Sequence, residues 1–402
     1  MRILQLAPRL PYPLTDGGAI GIYKPTEAIA RLGHEITFVT FPDPDPTVTA
    51  EARKLMQQFA HVELVSRPLP SRNSTLIRTL FNGAYPIERR MMPEMYDLLR
   101  RMLSEHTFDV IHIDACHMGK YGQWIKENYG LPIILREHNF ETQIYRRFAA
   151  NTKNPIAKLL AKVHAHRMLI EETAMIAGHD LTVAITPEDE AQMRHYVPQA
   201  KYRLIPAGVD TAYFAPQPID LEEDSILWIG GMDWEPNLDA VTFFAKEIFP
   251  QIVEHYPKIG FDIVGNGTDR LTDLASGSNG RVRLHGRVPD VRPYLAKAQV
   301  LVCPLRVGGG MRLKLLDFFA AAKAVVSTRI GAEGNKGVDG MHILLRDDAD
   351  SFATAVQGLL ADPTLRATIA TNARRLAVEE YSWDHIAHEF EQAYRDVVHT
   401  HA

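Results

Sequence analysis

The residues with the clearest capacity for chemistry are the run Leu305-Arg-Val-Gly-Gly-Gly-Met-Arg-Leu-Lys-Leu-Leu-Asp317, which follows an apolar stretch ending at Pro304 and leads into a helix-compatible one. Gly308, Gly309 and Gly310 let the backbone approach an anion closely, and the N-terminus of the helix beyond Met311 adds about half a positive charge. Arg312 and Lys314 fall in the predicted first turn of that helix. The helix dipole disfavours cations there unless an anion lies between them and the helix end. The arrangement therefore predicts a bound phosphate, and a pyrophosphate fits the loop. The alternative is a glycine-rich turn carrying two solvated basic side chains. Asp317, near the end of the second turn, suits ribose hydroxyls as acids do in nucleotide sites, although a lone helix aspartate is ordinary.

Other candidates are weaker by spacing. Gly17 and Gly18 gain interest from following the first predicted strand. His138 comes just after another, where it either hydrogen-bonds a ligand or is a buried histidine tied to backbone. Asp43-Pro-Asp45 has the outline of a metal-binding pair but sits in a proline-rich turn. His112 and Asp114 share a strand face with His117 nearby, yet no third ligand of matching geometry is evident, which favours core histidines. Cys116 and Cys303, the only cysteines, lie in apolar runs and suggest neither a disulfide framework nor a zinc site.

Positioning such residues needs elements of a definite kind. Apolar runs at Ile3 to Ala7, Glu35 to Phe41, Val62 to Val65, Val110 to Ile113, Ile133 to Leu135 and Leu181 to Ile185 alternate with helix-compatible segments. A second series follows at Ile226 to Ile229, Phe261 to Val264, Val282 to His285, Val300 to Pro304 and Ala324 to Ser327, and Asn237 to Tyr256 has helical periodicity. This predicts two doubly wound parallel α/β sheets joined near Leu204 to Phe214, with ligands beyond the strand carboxyl ends. The expected domains are 1–207 and 208–383, with a final helix over 384–402 that packs either back on the first or on the second. A length of 402 residues suits two such cores, and a net charge of −5 gives nucleic acid no general attraction. The absence of a leader-like apolar start and of a run of about 20 apolar residues predicts an unexported, cytoplasmic protein.

Taken in order, these motifs resemble those of the retaining family 4 glycosyltransferases (group 1), which have the GT-B fold of two Rossmann-like domains facing each other across a cleft. The resemblance covers nearly the whole chain: Asp16-Gly17-Gly18, Arg136-Glu-His138-Asn139, Ile205-Pro-Ala-Gly-Val-Asp210, Trp228-Ile-Gly-Gly231, Leu284-His-Gly-Arg-Val288, and Gly308 through Asp317. It implies that Gly17 and Gly18 lie against the donor phosphates, that Gly230 and Gly231 line the donor site, and that His138 faces acceptor and sugar. It also implies that Arg287 and Val288 flank the nucleobase and that Asp317 is the ribose acid. Three positions depart from the family pattern. The first of two acids spaced by seven residues is Gly309, and the usual diphosphate-holding Arg and Lys are Gly231 and Asn237. Arg306, Arg312 and Lys314 are the expected substitutes, because a diphosphate leaving group needs cations. Glu333, in Ile330-Gly-Ala-Glu-Gly334, is a candidate for the sugar contact.

The resemblance implies a nucleoside-diphosphate-sugar donor as substrate, no cofactor, and retention by attack on the face from which the diphosphate leaves. His138, Arg312 and Lys314 are then the catalytic candidates. A metal is not expected, since cationic side chains and a helix end can serve the phosphates. The stretch Ile144 to Ile170 has no acid but holds Arg146, Arg147, Lys153, Lys158, Lys162 and Arg167 among apolar residues. It is read either as a solvated helix or as a face for an anionic membrane surface. The latter implies a lipid-linked rather than a free glycan acceptor, as in surface-polysaccharide assembly. Two competing readings are a nucleotide-sugar epimerase or hydrolase, which would form product from donor alone, and a non-catalytic nucleotide-sugar binding module.

Overall fold

The computed structural model describes the chain apart from residues 15, 67–82, 152–153, 218–224, 309 and 402. It divides into two compact units, Met1–Pro206 with Ile386–Ala402, and Ala207–His385. The first unit is built on seven parallel strands: β1 (Arg2–Leu6), β2 (Glu35–Thr40), β3 (His61–Leu64), β4 (Val110–Asp114), β5 (Ile133–Glu137), β6 (Leu181–Ala184) and β7 (Tyr202–Leu204). Their order is β3-β2-β1-β4-β5-β6-β7. The chain thus winds outward from β1 to one edge, then returns to β4 and winds to the other. β4 and β5 have no exposed residue because helices cover both faces, as parallel sheets require.

The helix Gly17–Arg31 follows β1 and is capped by Asp16, whose carboxylate accepts from Ala19 N at 2.9 Å. The last helix, Trp383–His401, belongs to this unit from Ile386 onward and brings Phe390 and Tyr394 into its core. Tyr394 hydroxyl lies 2.7 Å from His112 Nδ1, and the Phe390 and His112 rings stack at 5.4 Å. His112 is therefore a packed core residue, its pKa pushed down to about 4 by burial.

The second unit holds six parallel strands: β8 (Ser225–Ile229), β9 (Gly260–Val264), β10 (Val282–Gly286), β11 (Val300–Cys303), β12 (Ala324–Ser327) and β13 (Leu344–Leu345), ordered β10-β9-β8-β11-β12-β13. The reversal of winding falls between β8 and β11, where a doubly wound sheet opens a crevice at its carboxyl edge. Glycine shapes that edge. Gly230 and Gly265 have φ of 154° and 152°, and a Cβ on Gly265 would overlap the Gly230 carbonyl. The segments leaving β8 and β9 can run this close only without side chains. The periodic segment Asn237 to Tyr256 is not one regular helix. It is Glu235–Phe243, a π-turn at Phe244–Ile248, and Phe249–His255. Pro250 supplies the reason, since it has no N–H for the carbonyl one turn earlier.

Candidate active site

In the second unit the predicted residues all follow strand carboxyl ends. Gly230 and Gly231 follow β8, Arg287 and Val288 follow β10, Arg306 to Met311 follow β11, and Glu333 follows β12. Gly309 lies outside the described residues. Gly308 and Gly310 have φ of 145° and 77°, conformations costly for other residues, so the loop needs glycine at both ends. A Cβ on Gly308 would also overlap Arg312 Nη2, which is how the guanidinium comes to lie against the loop backbone.

The helix after the loop begins at Leu313, one residue later than the sequence suggests, so Arg312 occupies the N-cap position with extended backbone. Arg312 is buried, and its guanidinium lies 5.3 Å from the centre of the Trp234 ring. Lys314, in the first turn, points toward β8. Its Nζ is 3.3 Å from Asn237 Oδ1 and 3.8 Å from the centre of the Trp228 ring, and it would sit 2.8 Å from a Cβ on Gly230. Asn237 in turn donates from Nδ2 to Gly231 O at 2.8 Å, closing the turn after β8. The position that departs from the family pattern thus receives a lysine carried by another element. Burial pushes the Lys314 ammonium down to about 8, against the opposing pull of the Cys303 sulfur. A poorly solvated cation beside a glycine turn and a helix N-terminus gains much from an arriving phosphate.

Arg306 points elsewhere, donating from Nε and Nη2 to Asp239 at 3.1 and 2.6 Å with its guanidinium 4.3 Å from the Phe243 ring. Asp317 is half-buried, and burial together with the Asp210 charge pushes its carboxyl up to about 8. Val288 and Met311 pack on the core, Arg287 is exposed, and Glu333 is half-buried in a turn whose Gly331 N donates to Thr328 Oγ1 at 2.9 Å.

In the first unit, Gly17 and Gly18 form the open first turn of the helix after β1, and a Cβ on Gly18 would lie 2.7 Å from Arg9 Nη2. His138 follows β5. Its Nε2 lies 2.5 Å from Asp114 Oδ1, so it is held by a carboxylate rather than by backbone, while its other edge faces Gly21. Asp114 is buried at the end of β4 and also accepts from Gln5 Nε2 at 3.0 Å. Arg136, also fully buried, pairs with it at 3.6 Å and donates to Gly21 O. His138 and Arg136 hold the Asp114 carboxyl well below its usual range despite burial. The anion in turn favours a proton on His138 Nε2, leaving Nδ1 as the free acceptor in the neutral ring.

Sequence reasoning missed Asp114 as the support of His138 and Asn237 as the support of Lys314, since neither pairing is local. It also missed the cluster Cys116, Glu137 and Glu172, whose ligand-type atoms lie within 4.8 Å of one another. Glu137 accepts from Cys116 N at 3.1 Å, and Glu172 from Glu141 N and Thr142 N at 2.7 and 3.0 Å. These carboxyls therefore cap backbone, and burial pushes both upward, Glu137 further beside the Glu172 charge and Glu172 to about 8 with the Glu141 charge adding.

A doubly wound sheet with a glycine loop, a helix N-terminus and two cations at its switch point has the form of a nucleotide-type ligand site. Residues 15–213 match the family model "Glycosyltransferase Family 4", and residues 223–362 match "Glycosyl transferases group 1". The chain belongs to the family 4, group 1 glycosyltransferases and has the GT-B fold. A phosphatidyl-myo-inositol mannosyltransferase of Mycolicibacterium smegmatis is 31% identical over 206 residues, 48% of this chain and 51% of that protein, so the match spans about half the relative's length. A sucrose-phosphate synthase from Thermosynechococcus elongatus superposes with a TM-score of 0.72 at 19% identity over all of both chains. Anabaena HepE, solved with UDP and glucose, gives 0.66 at 14% identity over 98% of this chain and 99% of its own.

Proposed function

We propose that the protein is a retaining, metal-independent glycosyltransferase that moves a sugar from a nucleoside-diphosphate donor to a glycan or lipid-linked acceptor, in surface-polysaccharide assembly. The observation that carries the donor assignment is the Lys314 ammonium, held by Asn237 beside Gly230 at the start of the helix after β11. With Arg312 it supplies the charge that a diphosphate leaving group demands. The HepE complex with UDP and glucose supports a nucleotide-sugar donor. Asp317 serves the ribose. In the transfer, the acceptor oxygen bonds to the anomeric carbon on the face where the phosphate oxygen departs. That departing oxygen takes the acceptor's proton. His138 Nδ1 accepts from a sugar hydroxyl.

Thermal shift against nucleoside diphosphates and nucleotide sugars tests the donor site. At a concentration of about 100 Kd, a ligand that binds only the native state stabilises it by about 2.7 kcal/mol, roughly 5–11 °C for a domain of this size. A selective shift that disappears in Arg312→Ala and Lys314→Ala is expected. No shift with any nucleotide would sink the reading.

The acceptor side rests on the helices Glu141–Asn151 and Pro155–Gly178. Ile144, Phe148, Leu159, Leu160, Val163 and Ile170 are exposed there, beside exposed Arg147 and Lys162. Lys153 lies outside the described residues. No described helix is long and apolar enough to cross a membrane. We read this surface as a peripheral seat on the cytoplasmic leaflet, each basic residue near anionic lipid contributing about 1 kcal/mol. The relative named for phosphatidyl-myo-inositol supports a lipid-linked acceptor. Flotation with phosphatidylserine-containing vesicles is expected for the wild type and is lost in Arg147→Glu/Lys162→Glu. Equal flotation of both proteins would remove the membrane from the proposal.

A further inference from the structure

Trp234 is set apart from its neighbours by what it leaves uncovered. The chain has four tryptophans; Trp228 is fully buried and Trp383 nearly so, whereas Trp234 is 43% exposed. It stands immediately before the helix Glu235–Phe243, in the turn leaving β8, and its side chain makes no capping hydrogen bond. Fully burying a large apolar side chain stabilises a protein by roughly 1.5–3 kcal/mol, and this indole forgoes part of that.

Two contacts tie it to the anion loop. Its Cη2 would lie 3.5 Å from a Cβ on Gly308, and its ring backs the Arg312 guanidinium at 5.3 Å. The loop therefore carries a flat aromatic surface directly beside Arg312. Val307 and Ile330, which follow the neighbouring strands β11 and β12, are also exposed, at 57% and 40%. A diphosphate gains nothing from such surface, because it is hydrated and charged throughout. A hexose ring does gain, since one of its faces presents mainly C–H groups. Ligand sites commonly pair a few fixed polar groups with aromatic walls in this way.

We propose that Trp234 stacks on the C–H face of the sugar carried by the bound diphosphate, and so sets which donor sugar is accepted. This inference rests on the donor-site reading of the Gly308–Asp317 loop. It separates recognition into a cationic part for the diphosphate and an aromatic part for the sugar.

Calorimetry with UDP and UDP-glucose, or with whichever diphosphate and parent sugar nucleotide stabilise the wild type, separates the two parts. In Trp234→Ala the nucleotide sugar is expected to bind at least tenfold more weakly, while the free diphosphate changes by less than twofold. Trp234→Phe should restore most of the difference, and the loss in kcat/KM should appear in KM. Equal weakening of both ligands would overturn the inference, assigning Trp234 only to supporting Arg312, as would no change in either. If the wild type binds no diphosphate at all, the donor-site reading itself fails.

Discussion

Lys314→Ala is expected to lower kcat/KM by about 10²- to 10³-fold, the usual cost of removing one preorganised group from developing charge. Its ammonium is brought against Gly230 in the turn after β8, whereas the other cation at that turn, Arg270, is committed to Met232 O and Glu235. Arg306→Ala should cost far less, because its guanidinium is already committed to Asp239. The same lysine predicts a pH dependence. Its folded pKa of about 8 lies below the ordinary lysine value near 10.4, so in the free protein the charge fades as pH rises through 8. An arriving diphosphate favours the protonated form and draws a proton from solvent. Donor affinity should therefore fall as pH rises from 7 to 9.5, by up to about tenfold per unit above 8. Lys314→Arg should flatten that slope, since a guanidinium stays charged, whatever its fit. A flat profile in the wild type would show that Lys314 does not meet the donor's charge.

Asp114→Ala is expected to destabilise the first unit by about 3–5 kcal/mol, measured by urea unfolding. The cost comes from what remains: the Arg136 guanidinium, fully buried, loses its counter-charge, and Arg136 Nε and Nη2 already have no hydrogen-bond partner among the described residues. Asp114→Asn keeps the shape and should cost less, yet it removes the anion that fixes the His138 tautomer. Turnover should fall more than stability in that variant. The acid dependence follows from the lowered Asp114 pKa. Stability from this group is present above the unfolded value near 3.9 and is lost as pH falls below it. If Asp114→Ala unfolds at the same urea concentration as the wild type, the network holds nothing together.

The periodic parts of this fold were legible because their causes are local. Strands β4, β5, β8, β9, β11 and β12 are buried along nearly their whole length and read as short, mainly apolar runs. The edge strands β7 and β13 were not seen. They have three and two residues, and Tyr202, Arg203 and Leu204 form no such run. A short edge strand is recruited by its neighbour's backbone rather than declared by its own side chains. The break at Phe244–Ile248 was hidden for the opposite reason, since a π-turn keeps helical spacing nearly intact.

The sequence by itself determined that a glycine-rich loop with two cations at the head of a helix follows β11, since glycine at 308 and 310 and cations at 312 and 314 are properties of one contiguous segment. Ordered motifs along the chain likewise determined the family. Only the tertiary structure decided which cation faces the loop. Lys314 and Arg306 have similar chemistry eight residues apart, but one meets Asn237 across 77 positions of chain and the other meets Asp239 across 67. His138 likewise acquires its tautomer from Asp114, which lies on the neighbouring strand. Charge and conformational preference are written residue by residue, whereas partnership depends on which strand ends the doubly wound topology sets side by side.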